Sequence, residues 1–135
     1  FAIIWGKLID SIGVVITIKI NLVIMVCLLA IGALIPELDL ANKEIYWAFL
    51  GLGAGIVTPG LWVSDRPLLV LVSPQNQIGE FFGFHGLVGR LSAILATFSW
   101  GFIVTTLSFG QQFAVIFLSL CSVFALISIM FLKKK

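Results

Sequence analysis

Charged side chains are scarce in this sequence of 135 residues. Lysine and arginine number 8 and aspartate and glutamate 6, so 10% of the residues are charged, against about 25% in a typical soluble domain. Hydrophobic residues make up 61% of the chain, and the mean hydropathy is +1.21. So little polar surface cannot cover a water-soluble globule. The composition therefore predicts an integral membrane protein.

What is missing also argues against other functional classes. The net charge of +2 is too small and too dispersed for a nucleic-acid-binding surface, so we expect no nucleic-acid partner. Cys27 and Cys121 lie within apolar runs, which predicts two small buried side chains rather than a disulfide framework or a metal site. The spans hold no His–Glu zinc pair, no serine with a partner base and no pair of aspartates. We therefore expect neither an enzyme nor a bound cofactor.

Four apolar stretches are long enough to cross a bilayer, which takes about 20 helical residues. They cover residues 14–35, 45–63, 81–107 and 113–132. Because alternation with period two is absent, the predicted fold is all-α, a polytopic bundle of helices in a lipid bilayer. The second stretch is rich in glycine, which is typical of close helix packing, and Thr58-Pro59-Gly60 predicts a bend in it. Pro67 and Pro74 follow as predicted helix breakers.

The polar connections predict the orientation of the spans. These connections are residues 36–44, 64–80 and 108–112. Lys7, Arg66 and the three C-terminal lysines lie on one side of the membrane, and Lys43 alone lies on the other. Cytoplasmic loops carry the excess of lysine and arginine. Both ends and residues 64–80 are therefore expected in the cytoplasm, with the chain in the cell (inner) membrane.

Gly6, Asp10 and Gly13 form a spaced pattern just before the first span. The glycines permit a tight turn and a close approach of helices. A carboxylate at Asp10 is able to accept hydrogen bonds from a helix N-terminus or to pair with an arginine. The alternative is an ordinary solvated turn.

The third span contains ionisable residues in its first half. Arg90 follows Glu80 by ten positions, or roughly 15 Å along a helix. A central arginine costs about 2.5–3.5 kcal/mol to insert, so it usually faces protein or a water-filled cavity; the alternative is snorkelling to the interface. His85 is five positions before Arg90 and about 140° around the helix, so the two do not form one site by themselves. We favour a buried, hydrogen-bonded structural role for His85 over a proton relay.

Together these features resemble the C-terminal part of a major facilitator superfamily transporter. The segment from Gly6 to Gly13 is similar to the superfamily's cytoplasmic loop motif between the eighth and ninth spans, which registers the four spans here as the ninth to twelfth. A narrower match comes from residues 64–74 (SDRPLLVLVSP) and 80–90 (EFFGFHGLVGR). They are similar to the family of unknown major facilitators, related to the yeast vacuolar amino-acid effluxer.

The resemblance implies a twelve-span secondary transporter that moves a small solute by alternating access. Amino acids are one candidate solute class, and a proton is a candidate coupling ion. The resemblance also implies that the N-terminal spans of the same transporter, which this chain lacks, are its partners. The implied gating residues of the loop motif are Gly6, Asp10 and Gly13, and the implied substrate or gating residues are Arg66, Glu80, His85 and Arg90.

The chain departs from the family's pattern at several positions, including Ala96-Thr97 in place of a Gly-Pro and residues 75–79, which lack the expected charges. Ser11 stands where the loop motif normally has an arginine, and the apolar residues 14–16 replace the basic cluster that usually follows. His85 replaces the family's usual tyrosine.

Two other interpretations stay open. A complete four-span exporter acting as a dimer needs a membrane-embedded glutamate in its first span, but residues 14–35 contain none and Glu37 comes after them. A non-transporting membrane subunit would instead pack against partners through the glycine-rich second span. It predicts a stable stoichiometric partner on gentle solubilisation, whereas a transporter of the major facilitator type predicts a longer single chain.

Overall fold

The computed structural model describes residues 1–35, 43–106 and 110–131. Over these residues the chain forms five α-helices, which confirms the predicted all-α fold. They are α1 (Ala2–Ile12), α2 (Val14–Leu34), α3 (Lys43–Val72), α4 (Ile78–Gly101) and α5 (Gly110–Met130). A short 3-10 turn, Gln75–Gln77, joins α3 to α4, and α4 continues into a π-helical turn, Phe102–Thr106. Most of the first predicted connection, part of the turn before the last span and the three C-terminal lysines lie outside the described residues.

Four helical segments in this part of the chain are long and apolar enough to cross a membrane, as predicted. They are Val14–Leu34, Glu44–Val72, Gln75–Thr106 and Gln111–Met130. A helix satisfies its own backbone hydrogen bonds, which makes it suitable for the bilayer interior. These segments indicate a multi-pass membrane protein.

α3 does not end at Pro67, where the sequence predicts a helix break. α3 continues through both Pro59 and Pro67 to Val72, so the prediction that Pro67 breaks the helix is wrong. The fixed φ of proline is compatible with a helix, and the main loss is one backbone donor, which membrane helices tolerate when side chains and neighbouring helices compensate. Pro74 lies beyond the helix with an extended backbone, at φ −61° and ψ 136°.

The core lies between α1, α2, α3 and α5. α2 packs against α5 and α3, while α1 packs against α3 and α2. By contrast, α4 contributes no buried residue and contacts α3 only sparsely. The buried apolar side chains are Trp5, Ile18, Leu22, Ala33, Ile35, Val57 and Ala114.

The two cysteines are exposed on this bundle, although we predicted them to be buried. Cys27 lies on α2 and Cys121 on α5. Each helix buries only the sides that face its neighbours, and both thiols lie on other sides. An apolar sequence context shows that a residue lies in a span, but it does not show whether the residue faces protein or lipid.

Candidate functional site

Asp65 of α3 and His85 of α4 form a polar contact across the α3–α4 hairpin. Nε2 of His85 lies 2.8 Å from Oδ2 of Asp65. Asp65 comes seven residues before the end of α3 and His85 seven residues after the start of α4, so both lie roughly 10 Å from the hairpin turn. The side chain of His85 is 42% exposed and that of Asp65 49%. The histidine is therefore hydrogen-bonded, as predicted, but it is not buried among the described residues, so the prediction of a buried side chain is wrong.

A cleft of about 250 Å³ lies beside the Asp65 carboxylate. It is formed by α2, α3 and α5, and among the described residues that line it Asp65 is the ionisable one. The other lining residues are Ile18, Leu22, Leu61, Trp62, Leu68, Ala125 and Ile129. A carboxylate next to apolar side chains needs a polar partner or water, and His85 supplies the partner.

A second polar cluster is buried on α2 and α3. Thr17, Asn21 and Ser64 have no exposed surface. Oγ1 of Thr17 donates to the carbonyl of Gly13 at 2.9 Å, Nδ2 of Asn21 donates to the carbonyl of Thr17 at 3.3 Å, and Oγ of Ser64 donates to the carbonyl of Gly60 at 2.7 Å. Oδ1 of Asn21 is buried without a hydrogen-bond partner among the described residues.

Trp5 connects this cluster to α1. Its Nε1 donates to the carbonyl of Ile56 on α3 at 2.8 Å. A Cβ on Gly60 would lie 2.8 Å from Cδ2 of Trp5, which is shorter than a van der Waals contact. Because Gly60 has no side chain, α1 and α3 are able to approach closely here.

Arg90 lies in a groove that runs along one side of α4. The groove has a volume of about 550 Å³, and all of its lining residues belong to α4: Phe82, Gly83, Gly86, Leu87, Arg90 and Leu91. Arg90 is exposed, and within residues 1–35, 43–106 and 110–131 no carboxylate forms an ion pair with it. Glu80 and Arg66 are also exposed. The structure therefore brings His85 together with Asp65 and not with the other predicted site residues of the hairpin.

The predicted loop motif is mostly helical. Gly6 and Asp10 lie within α1, and Asp10 is exposed. Gly13 alone leaves the helix, with φ +88° and ψ 154°, and its N–H donates to the carbonyl of Ile9 at 2.9 Å. The expected turn is thus confined to Gly13, which ends α1 and precedes α2. Gly6 is part of the regular helix α1, because a single glycine does not prevent a helix from forming.

Asp65 is the site residue that sequence reasoning missed. It lies in the predicted connection at residues 64–80, where a charged residue is unremarkable. The available signal was the helical apolar run from Leu68 to Val72, which carries α3 past Pro67 and keeps Asp65 inside a helix. With that extension, Asp65 and His85 lie at similar distances from the turn between their two helices.

Neither metal-binding side chains nor known relatives help to identify what the site does. In the part of the chain that the structure describes, no three side chains of histidine, cysteine, aspartate or glutamate come together to hold a metal ion. Compared with family models, curated proteins and solved structures, the chain matches none of them. The case for a function therefore depends on the residues themselves.

Proposed function

We propose that this chain is the C-terminal, four-span part of a secondary active transporter of the major facilitator type. It would move a small solute, with amino acids as the first class to test, across the cell membrane by alternating access. The observation that carries the proposal is the Asp65–His85 pair, which joins two candidate membrane spans beside a cleft. Ionisable residues within membrane segments are costly and usually mark pathways for ions or substrates.

The uncovered surface of α4 supports a larger bundle. α4 has no buried residue, and a Cβ added at Gly83 or Gly86 would meet nothing within 4 Å. Glycines on such a face let another membrane helix approach closely, and Arg90 on the same face calls for an anionic or polar partner. In the proposed transporter, the remaining spans of the same protein cover this face, and the solute cavity lies between the two halves.

The proposal gives roles to the other predicted residues. Arg90 is a substrate or gating cation that faces the cavity. Gly6, Asp10 and Gly13 contribute to gating at the cytoplasmic face, in the orientation that the excess of basic residues predicts. Arg66, next to Asp65 in α3, and Glu80, in the first turn of α4, are further candidate substrate or gating residues.

The first experiment is the intact mass of the native protein extracted from its source membrane. A mass near three times 14.7 kDa supports a full-length transporter of which this chain is a part. A mass close to 14.7 kDa contradicts it and favours a small four-span protein.

Transport by the native protein in liposomes tests the role of Arg90. Arg90→Ala is expected to abolish solute transport without lowering the amount of protein in the membrane, and Arg90→Lys serves as the variant that keeps the charge. Normal transport by Arg90→Ala would remove this residue from the site.

The uncovered face of α4 equally suits a non-transporting membrane subunit. In that case a separate protein chain covers α4, and gentle solubilisation recovers that partner at a constant ratio. A dimeric four-span exporter would instead recover two copies of this chain. The transporter proposal predicts that the covering helices belong to the same polypeptide.

A further inference from the structure

We propose that Asp65 and His85 together bind the proton that drives transport, an inference that rests on the proposed function. The pair consists of the only histidine in the sequence and a carboxylate at 2.8 Å. It lies between two candidate spans, and both side chains are close to half exposed, so neither is enclosed by the helices that the structure describes.

Binding of one proton changes the charge of the pair from −1 to zero. The proton comes from water and bonds to a ring nitrogen of His85, which forms an imidazolium beside the Asp65 carboxylate. Release returns the proton to water and leaves a neutral imidazole next to a carboxylate. A hydrogen bond between two charged partners is shorter and stronger than one with a neutral partner, so the protonated pair holds α3 and α4 together more firmly.

Apolar side chains lie next to Asp65 on the side of the cleft. The cleft residues from α2 and α5 are apolar, namely Ile18, Leu22, Ala125 and Ile129. A net negative charge beside such a surface draws in water or separates from it. Loss of the proton is therefore expected to weaken the contact between α3 and α4.

Three other charged residues are close to the pair in sequence. Arg66 follows Asp65 directly and so lies about 100° around α3 from it. Glu80 and Arg90 are each five positions from His85, or about 140° around α4. All three are exposed and lie on other sides of their helices than the pair.

The contact between Asp65 and His85 is one of few interactions that join α4 to α3 in the described bundle. α4 buries no residue there and contacts α3 only sparsely. In the proposed transporter the remaining spans cover the outer face of α4, so the pair acts on the interface between α3 and α4. A change at this pair is therefore expected to alter how these two helices meet.

The test uses the native protein in liposomes with a mixture of radiolabelled amino acids. Exchange of labelled for unlabelled solute at equal pH needs no coupling proton, whereas accumulation driven by a pH gradient does. Asp65→Asn and His85→Gln are expected to lose accumulation and to keep exchange. Glu44→Gln, which changes an exposed carboxylate at the start of the same helix as Asp65, is the matched control and is expected to keep both.

The possible failures are distinguishable. Accumulation by Asp65→Asn and His85→Gln at the level of the parent would overturn the proton-binding role and leave the transporter proposal intact. An absence of exchange by the parent protein would overturn the proposed function and the coupling role with it.

A second measurement does not depend on transport. Nuclear magnetic resonance of the protein labelled at histidine, with His85→Gln identifying the signal, follows the ring nitrogens as the pH changes. Asp65→Asn is expected to move that signal, because it changes the group that lies 2.8 Å from Nε2 of His85, while Glu44→Gln is expected to leave it unchanged. A signal that is indifferent to Asp65→Asn would show that the two side chains do not share a proton.

Discussion

Gly60 of α3 lies directly against Asn21 of α2. A Cβ placed on Gly60 would come within 2.6 Å of both Nδ2 and Oδ1 of Asn21. Neither atom is the far end of a long flexible chain, and Asn21 has no exposed surface into which to move. A third helix, α1, packs against the same position through Trp5. Cδ2 of Trp5 would lie 2.8 Å from the added Cβ. Three helices therefore meet at a position where glycine fits and a larger residue does not.

The first prediction follows from this contact. Gly60→Ala is expected to lower the free energy of unfolding by about 1–3 kcal/mol, the usual cost of an overpacked core. The midpoint of unfolding by SDS in mixed micelles measures the effect. Gly55→Ala on the same helix is the control, because an added Cβ there meets nothing within 4 Å. Equal midpoints for the two variants would contradict the close approach of α1, α2 and α3.

The second prediction concerns the backbone between α1 and α2. Gly13 has φ +88° and ψ 154°, a region that only glycine adopts readily. Gly13→Ala is expected to destabilise the protein by about 1–3 kcal/mol through backbone strain, since an added Cβ has no neighbour within 4 Å. Thermal unfolding in detergent, followed by circular dichroism, measures it.

Gly6→Ala is the control for this variant. Gly6 lies within α1, and an added Cβ there also meets nothing within 4 Å. Alanine at such a helical position is expected to leave stability unchanged or to raise it by up to about 1 kcal/mol. If Gly13→Ala behaved like Gly6→Ala, the junction would not need its positive φ.

The third prediction tests the hydrogen bond between α1 and α3. Trp5→Phe keeps most of the aromatic surface but removes the Nε1 donor to the carbonyl of Ile56. A loss of about 0.5–1.5 kcal/mol in the free energy of unfolding is expected, the net value of one hydrogen bond. Trp62→Phe, at a side chain that is 77% exposed, is expected to have no effect. A smaller loss for Trp5→Phe than for Trp62→Phe would contradict the bond.

The fourth prediction concerns the strength of the Asp65–His85 contact. A double-mutant cycle with Asp65→Asn and His85→Gln measures their coupling in the free energy of unfolding. Because both side chains are close to half exposed, the coupling is expected to be only about 0.2–1 kcal/mol. A pair of this strength is able to change partners during a conformational cycle. A coupling of zero would mean that the contact does not contribute to the stability of the protein in detergent.

Two prolines show how far local sequence carries the prediction. Pro67 and Pro74 both read as helix breakers, yet α3 continues through Pro67 and ends at Val72, before Pro74. A hydroxyl bond within α3, from Oγ of Ser64 to the carbonyl of Gly60, lies one turn before Pro67. The presence of a proline alone does not distinguish the two positions. Whether a helix continues past a proline depends on what the flanking turns contact.

The sequence by itself determined the all-α class and the four candidate spans. Hydropathy is a property of local composition, and any long apolar segment must satisfy its backbone hydrogen bonds internally to enter a bilayer. Only the tertiary structure decided which polar residues meet. The partners Asp65 and His85 are 20 positions apart, and Trp5 and Ile56 are 51 apart. In a helix that is apolar on all sides, no stripe of hydrophobic residues indicates which side faces which neighbour. These contacts therefore follow from the way the helices cross, and the hydropathy pattern does not encode that crossing.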